Sequence, residues 1–129
     1  AYIKAITVRA YQEPIIKEVE VIREVRTAKV TAYSCGGLKT KAEIDMNCPS
    51  LRKNPQGRTS SGTTPRPNIT VACDRANLGK TFEIEGIGQV KCEDTGGAIK
   101  GSGRFDLYVE TVAEAYAYGV KYLEYWEVK

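Results

Sequence analysis

Between residues 69 and 109 the chain offers four runs of β-forming residues, none longer than six: ITVACD (69–74), TFEIE (81–85), QVKCE (89–93) and RFDLYV (104–109). Asn77, Gly79, Gly86 and Gly88 punctuate the gaps and mark turns. A chain cut into such short strands buries them by curling a sheet upon itself, so the expected fold is a small β-barrel.

The N-terminal part continues this pattern. Ile6, Val8 and Ala10 alternate with Thr7, Arg9 and Tyr11 over residues 2–11, a strand with one buried face that Pro14 interrupts. Residues 15–25 (IIKEVEVIREV) are rich in β-branched residues and read as a strand, with helix as the competitor because of their Glu, Lys and Arg content. A further strand is expected over 27–33, and a last one over 120–128 (VKYLEYWEV). One helix is credible: Thr111 and Glu114 form a capping box, and Gly119 supplies a left-handed end. From Cys35 to Pro67 the pattern dissolves into Gly, Ser, Thr, Pro and Asn, a loop long enough to suggest a functional role.

At 129 residues the chain is one domain's worth, long enough to bury a core unaided. It begins at Ala1, which reads as a mature or trimmed form from which any export signal has been lost. No apolar run approaches the length of a membrane span. The net charge of +3 is small, and Lys and Arg alternate with Glu over residues 17–29, so no basic stripe for nucleic acid is expected.

Histidine is absent, which excludes Ser-His and Cys-His nucleophile pairs and every His-containing metal site. Acid–base chemistry then falls to a carboxylate, Lys, Tyr or Cys. No metal and no cofactor are expected. The four cysteines, Cys35, Cys48, Cys73 and Cys92, have no CxxC spacing, and an even count favours two disulfides and an oxidising compartment. Three pairings are possible. Cys35–Cys48, closing a loop, with Cys73–Cys92, tying two strands, is the favoured one, and free buried thiols stay open as the alternative.

Residues 94–108 (DTGGAIKGSGRFDLY) hold the richest chemistry. A glycine-rich turn with a lysine suggests a phosphate cradle, but a strand follows it here, so no helix N-terminus faces the phosphate. Asp74, Asp94 and Asp106 each sit in or beside an apolar strand, where charge is seldom placed without reason. Brought together, they would titrate as a coupled group with at least one pKa raised, as a general acid requires. Tyr116, Tyr118, Tyr122, Tyr125 and Trp126 have the placement of core packing more than of a sugar-stacking platform.

VTAYSC (30–35), GRTSSG (57–62), ITVACD (69–74), LGKTFEIEGIG (78–88) and DTGGAIKGSGRFDLY (94–108) resemble, in unbroken order, the 3D domain of bacterial cell-wall enzymes, named for its three aspartates. These enzymes include stationary-phase survival proteins and, as a relative, the MltA lytic transglycosylases. The resemblance implies a six-stranded double-psi β-barrel over residues 30–129, with one short crossover helix. Residues 1–29 would add a strand or hairpin. It implies cleavage of the MurNAc–GlcNAc bond of peptidoglycan without water, leaving a 1,6-anhydro product, in a secreted or cell-wall-associated protein. Asp106 then matches the catalytic acid/base, with Asp94 and Asp74 in support. Tyr33, Gly62, Gly96, Gly97 and Lys100 match substrate contacts. The rival class is a non-catalytic, expansin-like glycan-binding barrel. Whether the chain is one module of a larger cell-wall or phage-borne protein stays open. The chain departs from the family pattern at Asn77-Leu78-Gly79, where Pro-Leu-Gly is usual.

Overall fold

The computed structural model describes residues 1–12 and 15–129. The break expected at Pro14 lies outside those residues. Among the described residues the protein is mainly β, with seven strands in one sheet and two α-helices. The strands are β1 (Tyr2–Gln12), β2 (Ile15–Tyr33), β3 (Thr70–Ala72), β4 (Thr81–Ile84), β5 (Gly88–Asp94), β6 (Arg104–Tyr108) and β7 (Lys121–Val128). The helices are α1 (Lys41–Asn47) and α2 (Val112–Tyr118).

Residues 15–33 form one strand, where two were expected. Its first half pairs only with β1, in an antiparallel register from Tyr2↔Val25 to Gln12↔Ile15. Its second half pairs with β6 on one side and β7 on the other. Strand pairing then runs from β6 to β3, β5, β4 and β7, and β7 pairs with β2 again. Six strands thus close a circuit from which the β1–β2 ribbon projects. β2 crosses from ribbon to circuit without a break because its β-branched residues continue through Val25, which is fully buried.

Inside the circuit lie Val30, Val71, Ile84, Val90, Leu107 and their neighbours, all buried. Phe82, Phe105 and Tyr125 pack as a triangle with ring centroids 5.0–5.9 Å apart, and the Tyr125 hydroxyl donates to the Ser102 carbonyl at 2.9 Å. Removing the fully buried Phe105 ring should cost about 3–5 kcal/mol. Tyr125 thus belongs to the core, as expected, but Tyr116 and Tyr122 do not: they are 75% and 69% exposed. Tyr116 sits on the outer side of α2, where its hydroxyl donates to Asn47 at 2.8 Å.

The 36–67 segment is not structureless. Thr40 caps α1, accepting from the Glu43 amide at 3.1 Å, while the Glu43 carboxylate accepts from the Lys39 amide at 2.7 Å. A 3-10 turn follows at Pro49–Arg52. Cys48 bridges to Cys35, and Cys73 to Cys92, with Cα separations of 5.7 and 5.9 Å. Among the described residues no helix is long and apolar enough to cross a membrane.

Candidate active site

Register places the two cleft aspartates. Across four adjacent strands, Thr31 of β2 stands opposite Asp106 of β6, Asp106 opposite Ala72 of β3, and Ala72 opposite Asp94 of β5. Asp94 reaches this row only because the register slips between Val71, which faces Cys92, and Ala72, which faces Asp94. Glu93 is the extra residue of that bulge, the kind of irregularity that re-aims a side chain. Two strand spacings put the aspartate Cα atoms roughly 10 Å apart. Ala72, the small residue between them, leaves the space above the row open.

That space is a cleft of about 430 Å³, lined among others by Tyr33, Arg58, Ser60, Ala72, Asp94 and Asp106. It runs on into a hollow of about 480 Å³ over the Cys35–Cys48 loop, which shares Tyr33, Ser50, Asn54, Arg58 and Asp94 with it. Clefts of this size are ordinary for small-molecule and sugar sites.

Asp94 is held from several sides. Its Oδ2 accepts from the Tyr33 hydroxyl at 2.8 Å, and its Oδ1 accepts from the Ser60 amide (3.0 Å), the Ser60 hydroxyl (2.9 Å) and the Thr95 amide (2.9 Å). Charge-assisted bonds of this kind favour a fixed carboxylate. Burial, with the Asp94 carboxylate next in effect, pushes the Tyr33 phenol far up, so Tyr33 stays a donor.

Asp106 is the opposite case. It is half-buried, and Oδ1 accepts one side-chain hydrogen bond, from Thr31 at 2.7 Å. Burial raises its pKa. The Thr31 hydrogen bond and the Arg104 charge pull it down, the Asp94 charge pushes it up, and the net direction is upward. The cleft therefore sets the donor-held Asp94 across from Asp106, whose pKa is raised by burial, as expected of a carboxyl at an acid–base site.

Asp74 lies elsewhere. It caps the 3-10 turn Arg75–Asn77, accepting from the Ala76 amide at 3.0 Å, and its other oxygen accepts from the Gly101 amide at 2.7 Å. Those amides, Ala76 first, lower its pKa. Asp74 thus clamps the glycine-rich turn to the end of β3 and does not line the cleft. Lys100 is exposed on the same turn, with Asp74 as its charge neighbour. Gly96 lines the cleft, and a Cβ there would meet Ile99 Cγ1 at 2.9 Å, so its bareness lets Ile99 bury. Gly97 faces open space. Gly62, with φ +87°, turns the chain after Ser60.

Ser60, Thr31 and Thr95 were not singled out in the sequence, although Ser60 and Thr31 fall inside the GRTSSG and VTAYSC blocks. Glu93 was also missed. It is only 5% exposed, yet in the sequence it is one more acid in a strand.

Cleft and strand order together define a small β-domain with two aspartates facing one open site. Residues 69–129 match the family model of the 3D domain, as the sequence motifs implied. The chain is 34% identical over 99 residues to the cell wall-binding protein YocH of Bacillus subtilis (strain 168), an alignment covering 74% of this chain and 29% of that protein. Among solved structures, MltA from E. coli is similar at 21% identity and a TM-score of 0.48, over 70% of this chain and 35% of MltA. The lytic transglycosylase LtgG of Burkholderia pseudomallei is similar at 17% identity and a TM-score of 0.41, over 69% of this chain and 37% of LtgG. The chain thus spans only about a third of the length of these relatives.

Proposed function

We propose that the protein is a peptidoglycan lytic transglycosylase with Asp106 as its general acid and base. A peptidoglycan-related role is supported by the 3D-domain match and the similarity to a cell wall-binding protein. The observation that carries the catalytic reading is Asp106 itself, a half-buried carboxyl with a raised pKa beside the donor-held Asp94, in an open cleft. The Asp106 carboxyl protonates the glycosidic oxygen as the C1–O bond of MurNAc breaks. The resulting Asp106 carboxylate then takes the proton of the same sugar's C6 hydroxyl as O6 bonds to C1. No water enters, so one carboxyl serves both steps, unlike ordinary glycosidases with their two. Asp94 supplies fixed negative charge near the developing cation at C1, and Tyr33 and Gly96 line the sugar's path. In this reading Asp74 and Lys100 shape the glycine-rich turn, and Gly62 and Gly97 give their loops room at the cleft's edge.

The six-strand circuit, with its parallel pairs β2–β6 and β3–β5, is read as a double-psi β-barrel; the motifs mark it over residues 30–129, residues 26–29 already pair within it, and the ribbon before them is its extension. Two disulfides fit a secreted or wall-associated location. Incubation with purified peptidoglycan, followed by mass spectrometry of soluble products, tests the reaction. Muropeptides lighter by one water, lost in Asp106→Asn, are expected. Hydrated ends would mean a hydrolase. A second reading, a glycan-binding module, is favoured by the name of the B. subtilis relative. Protein that pellets with the wall and releases nothing would select it.

A further inference from the structure

Glu93 precedes Asp94, yet its carboxylate points under the 59–66 arm instead of into the cleft. It accepts from the Thr70 hydroxyl at 2.8 Å and from Arg66 Nη2 at 3.2 Å. Its backbone carbonyl accepts from the Ser61 amide at 3.1 Å. The arm is tied internally as well: the Thr59 amide donates to the Thr63 carbonyl at 2.8 Å, and the Gly62 amide to the Thr59 carbonyl at 2.9 Å. The tip of this arm is Ser60, whose amide and hydroxyl both bind Asp94. Consecutive acids thus grip one loop from two sides, and the bulge at Glu93 makes this possible by setting the two carboxylates to different tasks.

We propose that Glu93 is a positioning residue of the cleft: it pins the 59–66 arm from beneath so that Ser60 meets Asp94, which keeps that carboxylate fixed in front of Asp106. This rests on the reading of the cleft as catalytic. A buried carboxylate held by two side-chain donors is costly to place unless both partners are present, so the arm and Glu93 hold one another in a single arrangement. Burial pushes the Glu93 pKa up, but the polar groups of Thr70, Arg66 and Thr63 outweigh it and hold the group below its usual range.

The test is Glu93→Gln, which keeps the side chain's size but removes the charge that Arg66 pairs with. By NMR, the Ser60 amide should exchange its hydrogen at least about tenfold faster than in the wild type, a local opening that leaves the core amides protected. Turnover of peptidoglycan should fall roughly ten- to a hundredfold in kcat, with KM little changed, as expected for a small misplacement near the chemistry. Combined with Ser60→Ala, the two losses should be strongly non-additive, since both act through one contact. Unchanged Ser60 exchange, or simple additivity, would overturn the proposal. If the wild type itself releases no anhydro product, the catalytic reading falls. Ser60 exchange then still decides whether Glu93 holds the arm on Asp94. Should Glu93→Gln not fold, Arg66→Gln loosens the same arm from its half-exposed side and must show the same pattern in weaker form.

Discussion

Asp106 and Asp74 are the same side chain near the same antiparallel pair of strands, and the molecule treats them in opposite ways. Asp106 sits in the middle of β6, with its backbone paired on both sides, so only side chains and solvent are left to satisfy its carboxyl. Asp74 sits just past the end of β3, where the chain turns and free backbone amides point at it. One pKa rises and the other falls. The difference is one of strand position: a carboxylate at a strand end becomes a clamp, whereas one inside a strand keeps its chemistry available.

The largest expected effect of breaking this contrast is at Asp106. Asp106→Asn should lower turnover by a factor of about a thousand or more, the scale for an essential acid, while melting at pH 7 stays at or above that of the wild type. The sign follows from linkage. A carboxyl whose folded pKa lies above its unfolded value binds more protons in the native state, so it subtracts from stability as pH rises through that window. Thermal melts from pH 3 to 7 should therefore show a smaller decline with pH in the variant than in the wild type. Asp94→Asn comes next. It should cost roughly a hundredfold in rate, and also about 1–3 kcal/mol of stability, because Tyr33 and Ser60 lose a charged acceptor. A denaturant titration that finds Asp94→Asn as stable as the wild type would erase the distinction between a fixed and a free cleft carboxylate.

The disulfides give a second comparison, of size. Replacing either pair by alanines should cost about 3 kcal/mol by loop-closure entropy. With separations of 13 and 19 residues, the two should differ by only about 0.3 kcal/mol on that account. A much larger loss for Cys73–Cys92 would show that this bridge also supports the bulge beside Asp94. Thr31→Val should act more gently. It removes the strongest influence lowering the Asp106 pKa, so the alkaline limb of the pH–rate profile should move to higher pH. A limb that moves to lower pH would mean that the titrating group is not Asp106. Asp74→Ala should have the smallest effect on rate, within a few-fold. Its stability loss should be present near neutral pH and vanish as pH falls through the depressed folded pKa of Asp74.

The four short strands and α2 were legible because their signals are local: β-branched runs, turn residues and a capping box. The same local signal was present at Thr40 and Glu43, but the Gly- and Pro-rich surroundings masked α1. Two boundaries failed for a different reason. β2 is continuous because each half finds partners, β1 for one and β6 and β7 for the other, which no window of sequence reveals. The grouping of the aspartates is also a property of pairing. The motif presents Asp74, Asp94 and Asp106 as one set, but the bulge at Glu93 and the free amides after β3 divide them. Ser60 belongs to the cleft only because a loop more than thirty residues upstream folds over β5.

One more consequence follows from how β7 returns along β2. Ala1 edges one hollow with Ile22 and Glu24, and Lys129 edges another with Ile22 and Arg23. The row holding Asp106 starts at Thr31, seven residues past Glu24 and so roughly 23 Å further along the strand. The covalent order of the elements is therefore not the order the fold depends on. For a domain made of residues 1–129 alone, a short linker can join Ala1 to Lys129 and the chain can be reopened at the exposed Gly86 turn. Such a circular permutant should fold with the same row of Thr31, Asp106, Ala72 and Asp94 across its sheet.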